Sequence, residues 1–159
     1  MEATLRENRI GSAAIPETYT PERPVTGEFE SRLNISVVFT TVDATLAALR
    51  AAATMANRLH ARITLVVPEV VPFHLPLNEP PVVHDWNEKR FRVLAAESPV
   101  ETTVRFYLCR DRDETLAAVL KPHSVVVIGG KKRWWPTAEN RMANRLRKLG
   151  HEVVLTETE

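Results

Sequence analysis

A run of four apolar residues, Val125 to Ile128, is followed directly by Gly129 and Gly130. A strand that is apolar at every position must be covered on both faces, and helices cover the parallel strands of α/β proteins in this way. The two glycines permit a turn at which another backbone or a ligand comes close. Ligands of open α/β sheets bind beyond the carboxyl ends of the strands, so this run predicts both a fold class and the position of a site.

Apolar runs and amphipathic stretches alternate along the chain from Asn34 onward. The runs predict strands at 35–39, 63–67, 100–108, 125–128 and 151–155. The amphipathic stretches predict helices at about 44–60, at 85–97, after Asp111 and around 141–149, with Trp86, Val93 and Leu94 as buried residues of the second helix. Five strands alternating with four helices predict a single α/β domain with a doubly wound, five-stranded parallel sheet.

The ends of these elements are indicated by proline and aspartate. Asp43, Asp85 and Asp111 each stand where a helix takes its N-cap residue. Pro68 is expected to end the second strand, and the five prolines between residues 68 and 84 predict a long loop. Residues 1–32 contain three prolines and no sustained periodicity, which predicts a disordered tail before a domain at 33–159.

Composition limits the class of protein. A chain of 159 residues that is 44% hydrophobic is long enough for one core, and its formal charge of +1 does not indicate a nucleic-acid-binding protein. Positive charge is concentrated between Gly130 and Gly150, where seven Lys and Arg residues accompany one Glu. Arg141, Arg145 and Lys148 share a helical face there, and a solvated face is favoured over a nucleic-acid patch.

Cysteine and histidine usage indicates the compartment and argues against metal. Cys109 is the only cysteine, so no disulfide can form within the chain, and neither a membrane span nor a signal peptide is evident. A cytoplasmic location is therefore expected. Beside Arg110, Cys109 is either a thiol of lowered pKa or, as favoured, a small apolar residue. The histidines have no metal-ligand spacing, so no metal is expected.

The order of elements resembles the universal stress protein (UspA-like) family over about residues 34–157. The residues that carry the resemblance are the segments 40–45 and 66–68 at the ends of the first two strands, and Val125 to Gly129 followed by a final helix and strand. The resemblance implies strand order 3-2-1-4-5, the adenine-nucleotide alpha-hydrolase type of sheet. It also implies frequent dimers and, in one branch of the family, ATP bound at the strand tips.

The resemblance also implies a set of nucleotide-binding residues. In the ATP-binding branch an aspartate after the first strand contacts the nucleotide, and Asp43 stands in its place. The expected cofactor-binding residues are therefore Thr41, Asp43, Val67, Gly129, Gly130, Lys131 and Lys132. The chain departs from the family's phosphate loop, because Lys132 replaces its second glycine, while Met142 and Ala143 replace its final Gly-Ser or Gly-Thr pair.

Two interpretations of this altered loop stay open. In one, Lys131, Lys132 and Arg133 hold a phosphate or another anion in place of backbone amides, and Trp134 or Trp135 stacks on a base. In the other, the tryptophans fill the pocket and the cations are solvated, which is favoured because surface lysines are common. The sequence shows no Walker loop, no nucleophile elbow and no nucleophile beside a base.

These observations favour a non-catalytic regulatory or binding module with a degenerate nucleotide or anion site. The alternatives are a weak nucleotide-dependent enzyme that slowly hydrolyses ATP at the same tips, and a ligand-free scaffold for an unidentified protein partner. A homodimer through the last strand is expected from the resemblance. An edge strand exposes unpaired backbone groups, and Val153 to Leu155 add apolar surface that a second copy could cover.

Overall fold

A computed structural model describes residues 33–78, 84–131 and 136–158, with the side chains of 84–88 excepted. The predicted tail at 1–32 and residues Lys132 to Trp135 lie outside this part of the chain. Nine elements follow one another: β1 (Asn34–Val38), α1 (Val42–Leu59), β2 (Arg62–Val70), α2 (His84–Ala96), β3 (Thr102–Cys109), α3 (Arg112–Val119), β4 (Val125–Lys131), α4 (Ala138–Lys148) and β5 (Glu152–Thr158).

The five strands form one parallel sheet in the order β3-β2-β1-β4-β5. This confirms the predicted fold class and strand order. Apolar residues of α1 and α2 pack on one face of the sheet, and those of α3 and α4 pack on the other. The chain order reverses between β1 and β4, so helices diverge to opposite faces there and leave a crevice beyond the strand tips.

The core explains why the first four residues of β4, Val125 to Ile128, are all apolar. Val127 belongs to the cluster beneath α1 and α2, whereas Val126 and Ile128 belong to the cluster beneath α3 and α4. All three are fully buried, with 0% of their surface exposed. Because successive side chains of a strand point to opposite faces, a strand covered on both faces has no position for a polar residue.

Pro68 does not end the second strand, which continues to Val70. β1 stops at Val38, whose partner is Val66, so Pro68 lies beyond the end of its neighbour. The Phe39 N–H donates to the Val66 carbonyl at 2.9 Å, so the backbone groups of Val66 face β1. Backbone groups alternate sides along a strand, and Pro68 therefore has its missing N–H on the side that β1 has left.

Gly129 and Gly130 do not form the predicted turn, because both continue β4 and pair with Thr156 and Glu157 of β5. The reason for glycine at 129 is a close approach of another backbone. A Cβ atom at this position would lie 1.9 Å from the carbonyl oxygen of Ala44 in the first turn of α1. The prediction of a close contact is therefore correct, and its partner within the described residues is the chain itself.

The first turns of α3 and α1 give opposite outcomes for two predicted N-cap residues, Asp111 and Asp43. Asp111 caps α3, because its carboxylate accepts from the Glu114 N–H at 2.8 Å. The prediction for Asp43 is wrong: the N-cap of α1 is Thr41, whose hydroxyl accepts from the Ala44 N–H at 3.4 Å. Asp43 lies inside the first turn, where a carboxylate still interacts favourably with the helix dipole.

Candidate functional site

The crevice between β1 and β4 is bounded by two strand tips that are tied together. The Thr40 hydroxyl donates to the Gly129 carbonyl at 2.8 Å, and the Thr40 N–H donates to the hydroxyl of Thr45 at 3.2 Å. Thr45 is a fully buried polar residue of α1. These bonds hold the turn between β1 and α1 against the end of β4, so the wall of the crevice on this side is fixed by the protein's own contacts.

The residues predicted from the first two strands occupy different environments. Thr41 and Asp43 are both exposed at the beginning of α1, where they form the rim of the crevice. Val67 is only 4% exposed and packs in the core beneath α1 and α2. A ligand in the crevice can therefore reach the first two side chains directly, whereas the side chain of Val67 supports the floor of the sheet.

The residues predicted at the β4 tip also differ from one another. Gly129 is buried, with its Cα against Ala44 and its carbonyl on Thr40. Gly130 is half-buried, and a Cβ there would meet the Glu139 Cβ at 3.5 Å, an ordinary contact distance. Lys131 is exposed at the end of the strand. The open part of this tip therefore begins at Gly130, and Lys132 lies outside the described residues.

Arg112 is a residue at the carboxyl end of β1 that sequence reasoning missed. Its side chain reaches from the first residue of α3 to the end of β1, where Nη2 donates to the Phe39 carbonyl at 2.6 Å. In a regular parallel ladder that carbonyl would accept from residue 68, and Pro68 has no N–H to give. Arg112 thus supplies the hydrogen bond that Pro68 cannot.

The environment of Arg112 is unusual for a cation. The side chain is half-buried, and its Nε is buried without a hydrogen-bond partner among the described residues. Burial lowers the pKa of Arg112, and the more distant carboxylates of Glu139 and Asp113 partly oppose this. Asp113 itself lies 3.6 Å from Arg145, an exposed ion pair. The carboxyl end of β1 therefore carries a guanidinium that has no carboxylate of the described residues within ion-pair distance.

Cys109 is the last residue of β3, and its thiol is sequestered. Its side chain is fully buried, and Sγ donates to the Glu69 carbonyl at 3.6 Å. Burial raises the pKa of the thiol, which contradicts the lowered pKa considered for a cysteine beside Arg110. The Arg110 guanidinium is turned away to the carbonyls of the loop after β2, which are those of Val71, Pro72 and Leu75. The small apolar interpretation therefore fits the structure.

Charged side chains of both signs surround these strand tips. Arg112 and Lys131 contribute positive charge, and Asp43 and Glu139 lie on the two helices that flank the tips. Within the described ranges no group of three His, Cys, Asp or Glu side chains could hold a metal ion. No helix in that part of the chain is long and apolar enough to cross a membrane.

Comparison with known proteins identifies the fold. No model of a protein family matches the sequence, and no curated protein matches it either. The structure is similar to that of the universal stress protein UspA from Lactobacillus plantarum, with a TM-score of 0.50 and 20% identity over 79% of this chain and 98% of that one. A universal stress protein from Archaeoglobus fulgidus gives a TM-score of 0.50 and 17% identity, over 77% and 92% of the two chains. The chain therefore has the universal stress protein fold.

Proposed function

We propose that the chain is a UspA-like, non-catalytic regulatory or binding module that holds a nucleotide or another anion between the tips of β1 and β4. The observation that carries this proposal is the position of the crevice at the point where the strand order reverses. An exposed rim at Thr41 and Asp43 faces the open tip at Gly130 and Lys131 across it. The two structures of similar fold support the proposal.

The mode of binding differs from a cradle of glycine amides. At Gly129 the backbone is already in contact with α1, and Lys131 brings a side chain where a phosphate loop has small residues. An anion at this tip is held by side-chain cations instead. An exposed cation such as Lys131 contributes about 1 kcal/mol or less and is screened by salt, so we expect modest affinity that falls with ionic strength.

A ligand-free scaffold is the second candidate function. It is favoured by the same contacts of Gly129, because a strand tip bonded to Thr40 and packed on Ala44 needs no ligand to complete it. The slow ATP-hydrolysing enzyme is the third candidate.

We place the module in the cytoplasm because the only cysteine, Cys109, is a free buried thiol, as expected in a reducing compartment.

Three measurements separate these candidates. Native mass spectrometry of freshly purified protein shows a retained nucleotide as an increment in mass, and calorimetric titration with ATP at low and moderate salt gives the affinity. The module predicts saturable, salt-sensitive binding that weakens in Lys131→Ala, with Arg58→Ala at the far end of α1 as the matched control. Absence of binding under every condition favours the scaffold. Phosphate release that is lost in Asp43→Ala favours the enzyme.

A further inference from the structure

Arg112 has a structural role that does not use its charge. Its Nη2 supplies the donor that Pro68 lacks and satisfies the Phe39 carbonyl. A carbonyl is a neutral acceptor and takes only one of the five N–H groups of a guanidinium. The positive charge and the remaining donors are not accounted for by this bond.

No carboxylate of the described residues lies within ion-pair distance of Arg112. The nearby Asp113 is paired with Arg145 instead, and Nε of Arg112 is enclosed without an acceptor. Removing a cation from water is costly unless an anion compensates it. The protein nevertheless holds this guanidinium at the carboxyl end of β1, beside the crevice in which ligands of this fold class bind.

We infer that Arg112 makes the crevice selective for anions, and that its ligand carries a phosphate group bound by the guanidinium N–H groups that Phe39 leaves free. This inference rests on the proposed function and names the residue and the ligand chemistry of that site. A planar guanidinium matches phosphate oxygens in geometry and charge. Because Arg112 is half-buried, its charge is screened less than that of the exposed Lys131. Arg112 therefore contributes more to selectivity than Lys131 does.

The pair Pro68 and Arg112 provides the test. In Pro68→Ala a backbone N–H becomes available to the Phe39 carbonyl, so the structural role of Arg112 is taken over by the strand. The double variant Pro68→Ala/Arg112→Gln then removes the cation without leaving that carbonyl unsatisfied. The matched control is Pro68→Ala/Arg58→Gln, which makes the same change of charge at an exposed position at the opposite end of α1. Urea unfolding of each variant verifies that it is folded.

Calorimetric titrations use three probes, namely ATP, tripolyphosphate and adenosine. We expect the double variant with Arg112→Gln to bind ATP and tripolyphosphate at least about tenfold more weakly than Pro68→Ala, the usual scale for a hydrogen bond to a charged group. Adenosine, which has no phosphate, should bind equally to both. The Arg58→Gln control should bind all three probes as Pro68→Ala does.

The outcomes distinguish this inference from the proposed function. If the wild type and Pro68→Ala bind none of the probes, the proposed function fails and the inference fails with it. If they bind ATP and the Arg112→Gln double variant binds it equally well, the inference alone is overturned. If the Arg112→Gln double variant loses affinity for adenosine and for ATP to the same extent, the inference is overturned too. Arg112 would then affect the shape of the crevice and not its selectivity for charge. Binding of tripolyphosphate without adenosine shows that phosphate alone is the recognised group.

Discussion

At the scale of single residues, Gly129 is fixed by its neighbour on α1. The Ala44 carbonyl occupies the space that a side chain would need, and a backbone atom cannot move aside as a flexible side chain can. We expect Gly129→Ala to destabilise the domain by about 1–3 kcal/mol or more, the range for overpacking in a close-packed interior. Urea unfolding at equilibrium measures the change.

The adjacent glycine gives the control for that prediction. A Cβ at Gly130 meets Glu139 at 3.5 Å, so Gly130→Ala should change the free energy of unfolding by less than about 1 kcal/mol. Similar losses in the two variants would show that the contact with Ala44 is not what requires glycine at 129. If only Gly129→Ala is destabilised, the end of β4 is a packed contact rather than a flexible loop.

The stability of the domain depends on pH through His151, the residue directly before β5. The ring is buried, and its Nδ1 accepts from the Ser124 N–H at 3.2 Å, which requires the neutral form. Burial lowers the pKa of His151, and the nearby His123 lowers it further. The unfolded chain therefore binds the proton more readily. The contribution of neutral His151 to the free energy of unfolding is complete above the ordinary histidine pKa of about 6.5 and is lost as the pH falls below it.

Substitution by asparagine tests this linkage. His151→Asn keeps an acceptor for the Ser124 N–H that does not titrate, so its unfolding free energy should fall less than that of the wild type between pH 7.5 and about pH 5. His60→Asn is the matched control, because His60 is exposed and its positive φ of 51° is tolerated by asparagine. Identical pH profiles for His151→Asn and the wild type would show that protonation of His151 does not cause the loss of stability.

At the scale of elements, the start of α1 is set by Thr41 rather than by Asp43. We expect Thr41→Ala to cost about 1 kcal/mol, because it leaves the Ala44 N–H without its cap. Asp43→Ala should cost about 0.3–1 kcal/mol through the helix dipole, and this smaller loss should shrink in high salt. Urea unfolding with and without added salt compares them. A larger, salt-independent loss in Asp43→Ala would show that Asp43 is the cap.

The elements could largely be predicted from the sequence, because each has its own local pattern. The apolar run of β4 and the cap at Asp111 are local signals, and both are confirmed. The buried side chains of α2 were harder to predict from the sequence. Leu94 is buried as predicted, but the prediction for Val93 is wrong, because Val93 is 64% exposed and Phe91 is the residue that is only 4% exposed. Phe91, Leu94 and Ala95 form the stripe that faces the sheet, and Trp86 lies outside the described side chains.

At the scale of the whole molecule, the site is harder to predict than the fold because its residues are distant in sequence. The strand order is the one that the resemblance to the universal stress protein family implies, and it is confirmed. Arg112 bonds to the Phe39 carbonyl where β1 stops short of Pro68, and no local pattern connects Arg112 with Pro68. Gly129 has a strong local signal, yet the sequence does not distinguish a ligand from the backbone of α1 as its neighbour.

The same sheet leaves β5 as an edge strand, and we predict that two copies of the chain pair through it. The Glu152 N–H donates to the Ser124 carbonyl next to β4, so the backbone groups of residues 153, 155 and 157 point away from β4. Arg147 already donates to the Val153 carbonyl at 2.9 Å, which covers the beginning of this edge. The outward groups of Leu155 and Glu157 are those that a second strand could pair with.

Glu157 allows this prediction to be tested without disturbing the sheet. Glu157→Pro removes an outward N–H and leaves the bonds between β4 and β5 in place, whereas Glu157→Ala removes the same charge and keeps the N–H. Sedimentation equilibrium at tens of micromolar should show dimers for the wild type and Glu157→Ala, and monomers for Glu157→Pro. A monomeric wild type would rule out the dimer. A dimeric Glu157→Pro variant would show that dimerisation does not depend on the outward N–H of residue 157, and it would contradict the predicted pairing.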